Sequence, residues 1–351
     1  MKIEVLNSEY EESYEKFLLK NFGTLFFVSN KYRKFLKEFL QSEDLYFLAI
    51  NDNGEIVGAL PSFLKRNKKY GNVINSLPFY GSNGAVVEFN GNTEVKKNLL
   101  EKFYQNARAD NCISSTIITS PLDNNVEFYE NNCPKGLIDK RIGQIVDLSL
   151  IKKNPAEELM DIFHSKTRNM IRKAEKSELK ISVDNSEAAW DFLIKTHIAS
   201  IKALNGIPKP ERFFKLIPKY FESGKDYKIW IALNKDETPI AALLCFYFNK
   251  TVEYFTPVVV EEYRSIQPLS LLVYQAMIDA VKQGYYWWNF GGTWLTQDGV
   301  YHFKKRWGTE DKYYYYLTNL FNENILKLPK EELLKEYPYF YVVPFNQLKN
   351  E

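Results

Sequence analysis

Cysteine and histidine are scarce in this chain of 351 residues, which contains three of each. Cys112, Cys133 and Cys245 are far apart, and no pair has the C-x-x-C spacing of a zinc site. An odd number of widely spaced cysteines also argues against a disulfide framework. No histidine stands near a cysteine or in an H-E-x-x-H pattern. The sequence therefore predicts no metal site and a reduced, cytoplasmic setting.

Long apolar runs and a one-sided charge are missing as well. No run approaches the ~18 residues that span a bilayer, and the stretch MKIEVLNSEYEESYEKF is too charged for a signal peptide. We expect no membrane-spanning segment, which still allows peripheral association with a membrane. Lys+Arg of 46 against Asp+Glu of 44 leave a net charge of +2. Contact with nucleic acid would need a local basic patch, and DNA is not an expected partner.

The length and the hydrophobic pattern indicate two α+β domains. A chain of 351 residues exceeds the roughly 250–300 residues at which single cores stop growing. The first half predicts helices at about 8–20 and 30–41, and a hairpin at 45–63 with Asp-Asn-Gly in its turn. Strands at VINSLPF and GAVVEF, a helix at about 94–109 and the strand SSTIIT follow.

The second half repeats this order of elements. Leu45–Phe63 aligns with Lys228–Phe246, which matches Ala49 with Ala232 and Phe63 with Phe246. A helix from Pro268 to Lys282, the strand YYWWNF, a short helix at about 299–306 and the strand KYYYYLTNL complete the second copy. We interpret this as an internal duplication with domains at 1–150 and 151–351, with chance similarity as the alternative.

One basic segment, KTRNMIRKAEK, is predicted to be helical. Arg168, Arg172 and Lys176 are spaced i, i+4, i+8 on one face, where like charges repel unless an anion offsets them. The planar guanidinium suits phosphate, so Arg168 and Arg172 are candidate phosphate ligands. The alternative is a solvated surface that Glu175 and Glu178 neutralise.

A second segment, FGGTWLTQDGVYHFKKRWG, combines glycines with lysines. Gly291 and Gly292 follow an aromatic strand, where missing side chains would let backbone N–H groups approach a ligand. Val300, Phe303 and Trp307 share one helical face that should be buried. That arrangement would leave Lys304 pointing elsewhere.

The order of these segments resembles that of the GCN5-related N-acetyltransferase (GNAT) fold. Two copies in one chain resemble the FemAB-like peptidoglycan-bridge aminoacyltransferases, here without a coiled-coil arm. The resemblance rests on SKTRNMIRKAEK, AALLCFYF with VEYFTP, GYYWWNFGGT and YHFKKRWG, in that order. It implies an acyltransferase made of two GNAT-like domains, with the transfer site in the second.

The resemblance also implies roles for single residues. Phe303 and Lys304 match the family's Phe-Lys pair at the site of acyl transfer, where a lysine can stabilise an oxyanion. The substrate-binding candidates are Lys34, Lys166, Arg168, Arg172, Lys209, Tyr254, Gly291 and Gly292. Some family members carry an aspartate where Ser120 stands here, so no proton acceptor is evident, and Asp123 is a weak substitute.

The donor and the acceptor stay open at this stage. EEYRSIQPLSLL keeps Arg264 but lacks the glycines of the loop that holds CoA pyrophosphate, which favours aminoacyl-tRNA over acyl-CoA or an acyl-carrier protein. The leading hypothesis is transfer of an aminoacyl or acyl group to an amine of a nucleotide- or lipid-linked cell-envelope glycan or peptidoglycan precursor, without a tightly bound cofactor. The alternatives are an acyl-CoA-dependent N-acyltransferase acting on an amino sugar or polysaccharide precursor, and an inactive module that binds anionic glycans.

Overall fold

The computed structural model of the chain describes residues 1–78, 85–123, 126–344 and 347–348. Strands and helices alternate along these residues. The strands are β1 Lys2–Val5, β2 Glu43–Asp44, β3 Phe47–Ile50, β4 Ile56–Leu60, β5 Phe63–Lys65, β6 Asn72–Asn75, β7 Cys112–Ile118, β8 Leu137–Asp147, β9 Lys180–Val183, β10 Tyr227–Leu233, β11 Pro239–Phe248, β12 Thr251–Val259, β13 Trp287–Trp294 and β14 Glu310–Leu320. The helices are α1 Glu11–Leu19, α2 Asn30–Leu40, α3 Thr93–Ala109, α4 Val126–Asn132, α5 Pro155–Ile162, α6 Ser165–Glu175, α7 Glu187–Ala203, α8 Glu211–Tyr220, α9 Pro268–Lys282, α10 Asp298–Lys305 and α11 Lys330–Glu336.

The chain forms two compact units. Unit 1 comprises Met1–Ile142 with Lys312–Glu351, and unit 2 comprises Gly143–Asp311. The predicted division at residue 150 differs from these units because it assigned residues 312–351 to the second domain. In the structure β14 pairs antiparallel with β7, with Tyr316 opposite Ile118, and Leu317 joins the apolar core of unit 1.

Unit 1 begins with helices that bury aromatic side chains. Tyr32, Phe35, Leu36 and Phe39 of α2 are buried, which confirms the predicted helical spacing. Strands β3 and β4 form the predicted antiparallel hairpin, and Gly54 in its turn has φ +80°. Strands β6 and β7 are parallel, and α3, which connects them, packs on β3, β4 and β7.

The strand predicted at GAVVEF is reduced to one bridge. Val87 exchanges backbone hydrogen bonds with Ala59 at 2.7 and 2.9 Å. The carboxylate of Glu88 then accepts the backbone N–H groups of Asn90 and Asn92, which turns the chain toward α3. The prediction of a longer strand was wrong because these local bonds replace the ladder; its first residue, at position 84, lies outside the described residues.

Unit 2 repeats the arrangement of unit 1 around a central helix. Strands β9 to β12 are antiparallel in chain order, whereas β12 and β13 are parallel and are connected by α9. Helix α9 has Pro268 in its first turn and ends at Lys282 as predicted, and Gly284 beyond its end has φ +77°. No helix in the described part of the chain is long and apolar enough to cross a membrane.

Candidate functional site

Lys304 of α10 lies beneath the end of strand β13 with its amino group fully bonded. Nζ donates to the Gly292 carbonyl at 2.9 Å, to Thr293 Oγ1 at 3.0 Å and to the Gly291 carbonyl at 3.4 Å. The residue is 7% exposed, and burial lowers the pKa of its amino group to about 8. Lys304 is therefore part of the buried face of α10 and does not point away from it.

The aromatic face of α10 differs from the prediction at one position. Trp307 is fully buried, and the partly buried Phe303 packs edge-on against it at 6.3 Å between ring centroids. Val300 is 43% exposed. The expectation that it would be buried was wrong because the first turn of α10 belongs to an exposed stretch at 294–300.

The two glycines hold Lys304 through their carbonyl groups. Gly291 has φ +72°, and a Cβ built there would meet nothing within 4 Å, so backbone conformation and not space calls for glycine. Its N–H donates to Asn289 Oδ1 at 2.8 Å. The expected approach of backbone N–H groups to a ligand is thus occupied at Gly291 by an internal bond.

A buried glutamine supports this arrangement, and the sequence offered no signal for it. Thr293 Oγ1 donates to Gln144 Oε1 at 3.2 Å, and Gln144 Nε2 donates to the Tyr301 carbonyl at 3.1 Å. Gln144 and Thr293 are both buried. The chain of bonds orients the Thr293 hydroxyl so that it accepts from Lys304.

A second set of buried polar groups lies on the sheet of unit 2 at Glu253. Opposite residues in a ladder share a face, which places Glu253 with Phe246 and Asn289, and Thr256 with Leu244. Within the described residues, Glu253 Oε1, Thr256 Oγ1 and Asn289 Nδ2 have no hydrogen-bond partner. Burial raises the pKa of the Glu253 carboxyl to about 8, and the adjacent Asn289 amide offsets part of that shift.

The sequence interpretation missed Glu253. Its signal was a carboxylate in the middle of the apolar strand VEYFTP, where a charge is expensive to bury without a partner. Asn289 stands two residues before Gly291 on β13, so Glu253 lies about 7–10 Å along the sheet from the carbonyls that hold Lys304, at about 3.3 Å per residue.

The residues predicted on the basic helix α6 differ in what they contact. Arg168 Nη1 donates to the carbonyls of Phe163 at 2.6 Å and Met160 at 3.4 Å, which satisfies the C-terminal end of α5. Lys166 and Arg172 are exposed to solvent. Arg168 therefore has a structural contact, whereas Lys166 and Arg172 present their charges at the surface.

The remaining predicted residues lie apart from Lys304. Lys209 Nζ sits 5.0 Å from the ring centroid of Phe255, and burial lowers the pKa of its amino group to about 8. Tyr254 packs against Phe290 at 5.0 Å between centroids, and burial raises its pKa. Lys34 of unit 1 is exposed and bonds Glu11 Oε2 at 2.6 Å.

The loop before α9 departs from an anion-binding loop in its geometry as well as its sequence. Gln267 has φ +62°, and Pro268 in the first turn of α9 has no N–H to offer. Arg264 pairs with Glu261 at 2.8 Å. No group of three or more His, Cys, Asp or Glu side chains that could hold a metal exists in the described part of the chain.

Comparisons with known proteins agree with this architecture. Residues 222–316, which include β10–β13 and Lys304, match the sequence model of the FemAB family. The structure of FemX is 14% identical and superposes with a TM-score of 0.72, covering 93% of this chain and 98% of its own. No curated protein sequence matches the chain.

Two further structures share the fold at lower similarity. The C-terminal domain of a lysylphosphatidylglycerol synthetase from Agrobacterium fabrum is 12% identical with a TM-score of 0.56, covering 96% of this chain and 100% of its own. A tandem GNAT protein from the clavulanic acid pathway is 10% identical with a TM-score of 0.52, covering 91% and 98%. The fold is the FemAB-like tandem GNAT fold, as predicted, and together with the family match it supports an acyltransferase.

Proposed function

We propose, from the match of residues 222–316 to the FemAB family and the bonding of Lys304 in that segment, that the protein is an aminoacyltransferase of cell-envelope biosynthesis. It would move an aminoacyl group from tRNA to an amine of a glycan or peptidoglycan precursor. The observation that carries the proposal is a buried ammonium presented at the end of β13 by three oxygen partners. Such a group can stabilise the oxyanion that forms when an amine attacks an ester carbonyl.

The bond lengths indicate how Lys304 would act. The contact to the Gly291 carbonyl, at 3.4 Å, is the longest of the three and the least costly to exchange. A substrate oxygen that replaces it would keep the other two bonds in place. The amine nitrogen would form a bond to the acyl carbon while the bond from that carbon to the carrier oxygen breaks, and the carrier hydroxyl leaves.

Glu253 supplies the proton acceptor that the sequence interpretation lacked. A carboxyl whose pKa is about 8 can take a proton from an ammonium or from the attacking amine near neutral pH. The unpartnered Asn289 amide and Thr256 hydroxyl beside it would hold the same amine. Positioning and charge stabilisation, without a covalent enzyme intermediate, would account for catalysis.

The donor is assigned to aminoacyl-tRNA on the geometry before α9. Pro268 and the Arg264–Glu261 pair leave few free donors for a pyrophosphate at that helix start. The name of the Agrobacterium relative, a lysylphosphatidylglycerol synthetase, also describes a product that carries a lysyl group. The alternative donor is acyl-CoA, which the clavulanic acid pathway protein favours because its description refers to AcCoA.

The test offers each donor separately to the purified protein. Charged tRNA or acetyl-CoA is incubated with a nucleotide-linked muropeptide precursor, and the mass of the acceptor is followed. A mass gain of one amino acid with charged tRNA alone is the expected result. A gain of acetyl with acetyl-CoA alone would replace the donor, and binding of the precursor without a product from either donor would favour the inactive binding module.

A further inference from the structure

Unit 1 contains a small cavity that the transfer reaction does not use. Its volume is about 190 Å³, below the roughly 300–1,000 Å³ of pockets that hold drug-sized molecules. The segment before α2, the start of α3 and the turn after β7 contribute its walls, including Thr24, Lys96, Ser120 and Asp123. A neighbouring open cavity of about 600 Å³ shares Asn21 and Phe89 with it.

Lys96 is an almost buried cation with little to bind in this cavity. The residue is 8% exposed, and in the part of the chain that the structure describes its amino group makes no hydrogen bond. The nearest carboxylate oxygen, Asp123 Oδ2, is 3.9 Å from Nζ, which is beyond hydrogen-bond distance, and the ring of Phe128 is 5.7 Å away. A buried ammonium without hydrogen bonds is costly, so an acceptor is missing from this site.

A hydroxyl in the same wall lacks a partner too. Thr24 is 4% exposed, and Thr24 Oγ1 has no hydrogen-bond partner among the described residues. Both unmet groups are donors, so their common complement is an oxygen acceptor with negative charge. The size of the cavity limits that acceptor to a small group.

The carboxylates in the wall choose between anions. Asp123 and Glu88 both line the cavity, and Glu88 is already bonded to the backbone N–H groups of Asn90 and Asn92. A dianionic phosphate would be repelled by two nearby carboxylates, whereas a single carboxylate would be attracted by Lys96 with less opposition. The adjoining open cavity has room for the rest of a longer molecule.

We propose that this cavity of unit 1 binds the carboxylate of an amino acid, either free or as the last residue of a short peptide, through Lys96 and Thr24. The carboxylate occupies the inner cavity, and the chain of a peptide continues into the neighbouring open cavity. The site is independent of the transfer chemistry proposed for unit 2.

Binding to the purified full chain is measured by titration calorimetry with four probes: N-acetyl-alanyl-alanine, its C-terminal amide, free alanine and inorganic phosphate. The acid is expected to bind at least tenfold more tightly than the amide and the phosphate. Equal affinity for acid and amide, or tighter binding of phosphate, overturns the proposal. Tighter binding of the acetylated dipeptide than of alanine identifies a peptide end as the ligand, and the reverse order identifies a free amino acid.

The variants test the named residues. Lys96→Met and Thr24→Val remove the donors while keeping the size of each side chain, and each is expected to weaken binding of the tighter carboxylate probe at least tenfold. Lys97→Met, at an exposed position of the same helix, is the matched control and should leave binding unchanged. Wild-type affinity in Lys96→Met overturns the proposal, and the probe series on the unaltered protein remains decisive if that variant does not fold.

Discussion

A lysine ammonium that leaves water must find an oxygen for each of its protons. Lys304 meets this condition with two carbonyls and a hydroxyl, and the cost that remains is visible in a pKa lowered to about 8. Lys209 has a similarly lowered pKa but faces an aromatic ring. The difference in partners is what makes Lys304, and not Lys209, suited to a developing negative charge.

Replacing Lys304 with alanine is expected to lower kcat/KM about 10²–10³-fold, because one donor to the oxyanion is lost. Lys305→Ala is the matched control, since Lys305 contacts Asp311 and the Thr309 carbonyl and not β13. Initial rates with both variants, together with their thermal unfolding, check the prediction. A folded Lys304→Ala variant that keeps the wild-type rate would contradict the assignment of the transfer site.

Glu253→Gln tests the buried carboxyl through stability. The folded-state pKa of about 8 exceeds the model value of 4.5, so the wild type loses stability as the pH rises between these values. The loss amounts to at most about 5 kcal/mol at 1.36 kcal/mol per pKa unit. The variant cannot ionise, and its free energy of unfolding should therefore gain relative to wild type between about pH 5 and about pH 9.

Chemical denaturation at both pH values measures this difference, and groups common to the two proteins cancel. Glu130→Gln, an exposed change in α4, serves as the control and should show no such trend. A constant difference between Glu253→Gln and wild type across the pH range would mean that Glu253 titrates normally. In that case Glu253 would not be a proton acceptor with a raised pKa.

At the scale of elements, helix α6 separates two uses of arginine. Arg168→Ala removes charged hydrogen bonds to two carbonyls of α5, and we expect a loss of about 1.5–3 kcal/mol in the free energy of unfolding. Arg172→Ala changes an exposed residue and should alter stability by less than about 0.5 kcal/mol. Its expected effect is a weaker, less salt-dependent affinity for the anionic substrate.

Unfolding curves and substrate binding at two salt concentrations distinguish these effects. If Arg172→Ala binds substrate as the wild type does at both concentrations, the exposed face of α6 is a solvated surface. The neutralising role suggested for Glu175 and Glu178 would then be the better interpretation of this helix.

Local signals predicted several elements well. Proline at the start and glycine beyond the end placed α9, and the aromatic spacing placed the buried face of α2. The burial of Lys304 could not be read from the same periodicity, because it depends on which carbonyls β13 presents from 11 to 13 residues away in the chain. Glu253 escaped notice for a related reason, since alternation along a strand does not reveal that both faces of the sheet are covered.

At the scale of the whole molecule, the end of the chain returns to its beginning. No local pattern in KYYYYLTNL specifies that this strand pairs with β7, about 200 residues earlier in the chain, because strand pairing is non-local. The predicted domain of 151–351 followed chain order, whereas compactness follows the ladder. The hydroxyls of Thr116 and Thr318 lie 2.9 Å apart and add a bond to this pairing.

Gly136 provides a test of this return. A Cβ at Gly136 would lie 2.1 Å from the backbone oxygen of Thr318 and 3.2 Å from Asn319 Cα, so Gly136→Ala forces the returning strand to shift. We expect a loss of about 1–3 kcal/mol, as for other overpacked sites, with faster proteolysis or hydrogen exchange confined to unit 1. Gly299→Ala, where a Cβ meets nothing within 4 Å, is the control and should leave unit 1 protected. Because residues 312–351 fold with unit 1 only if this contact is real, exchange that increases in unit 2 alone would restore the boundary that chain order suggests.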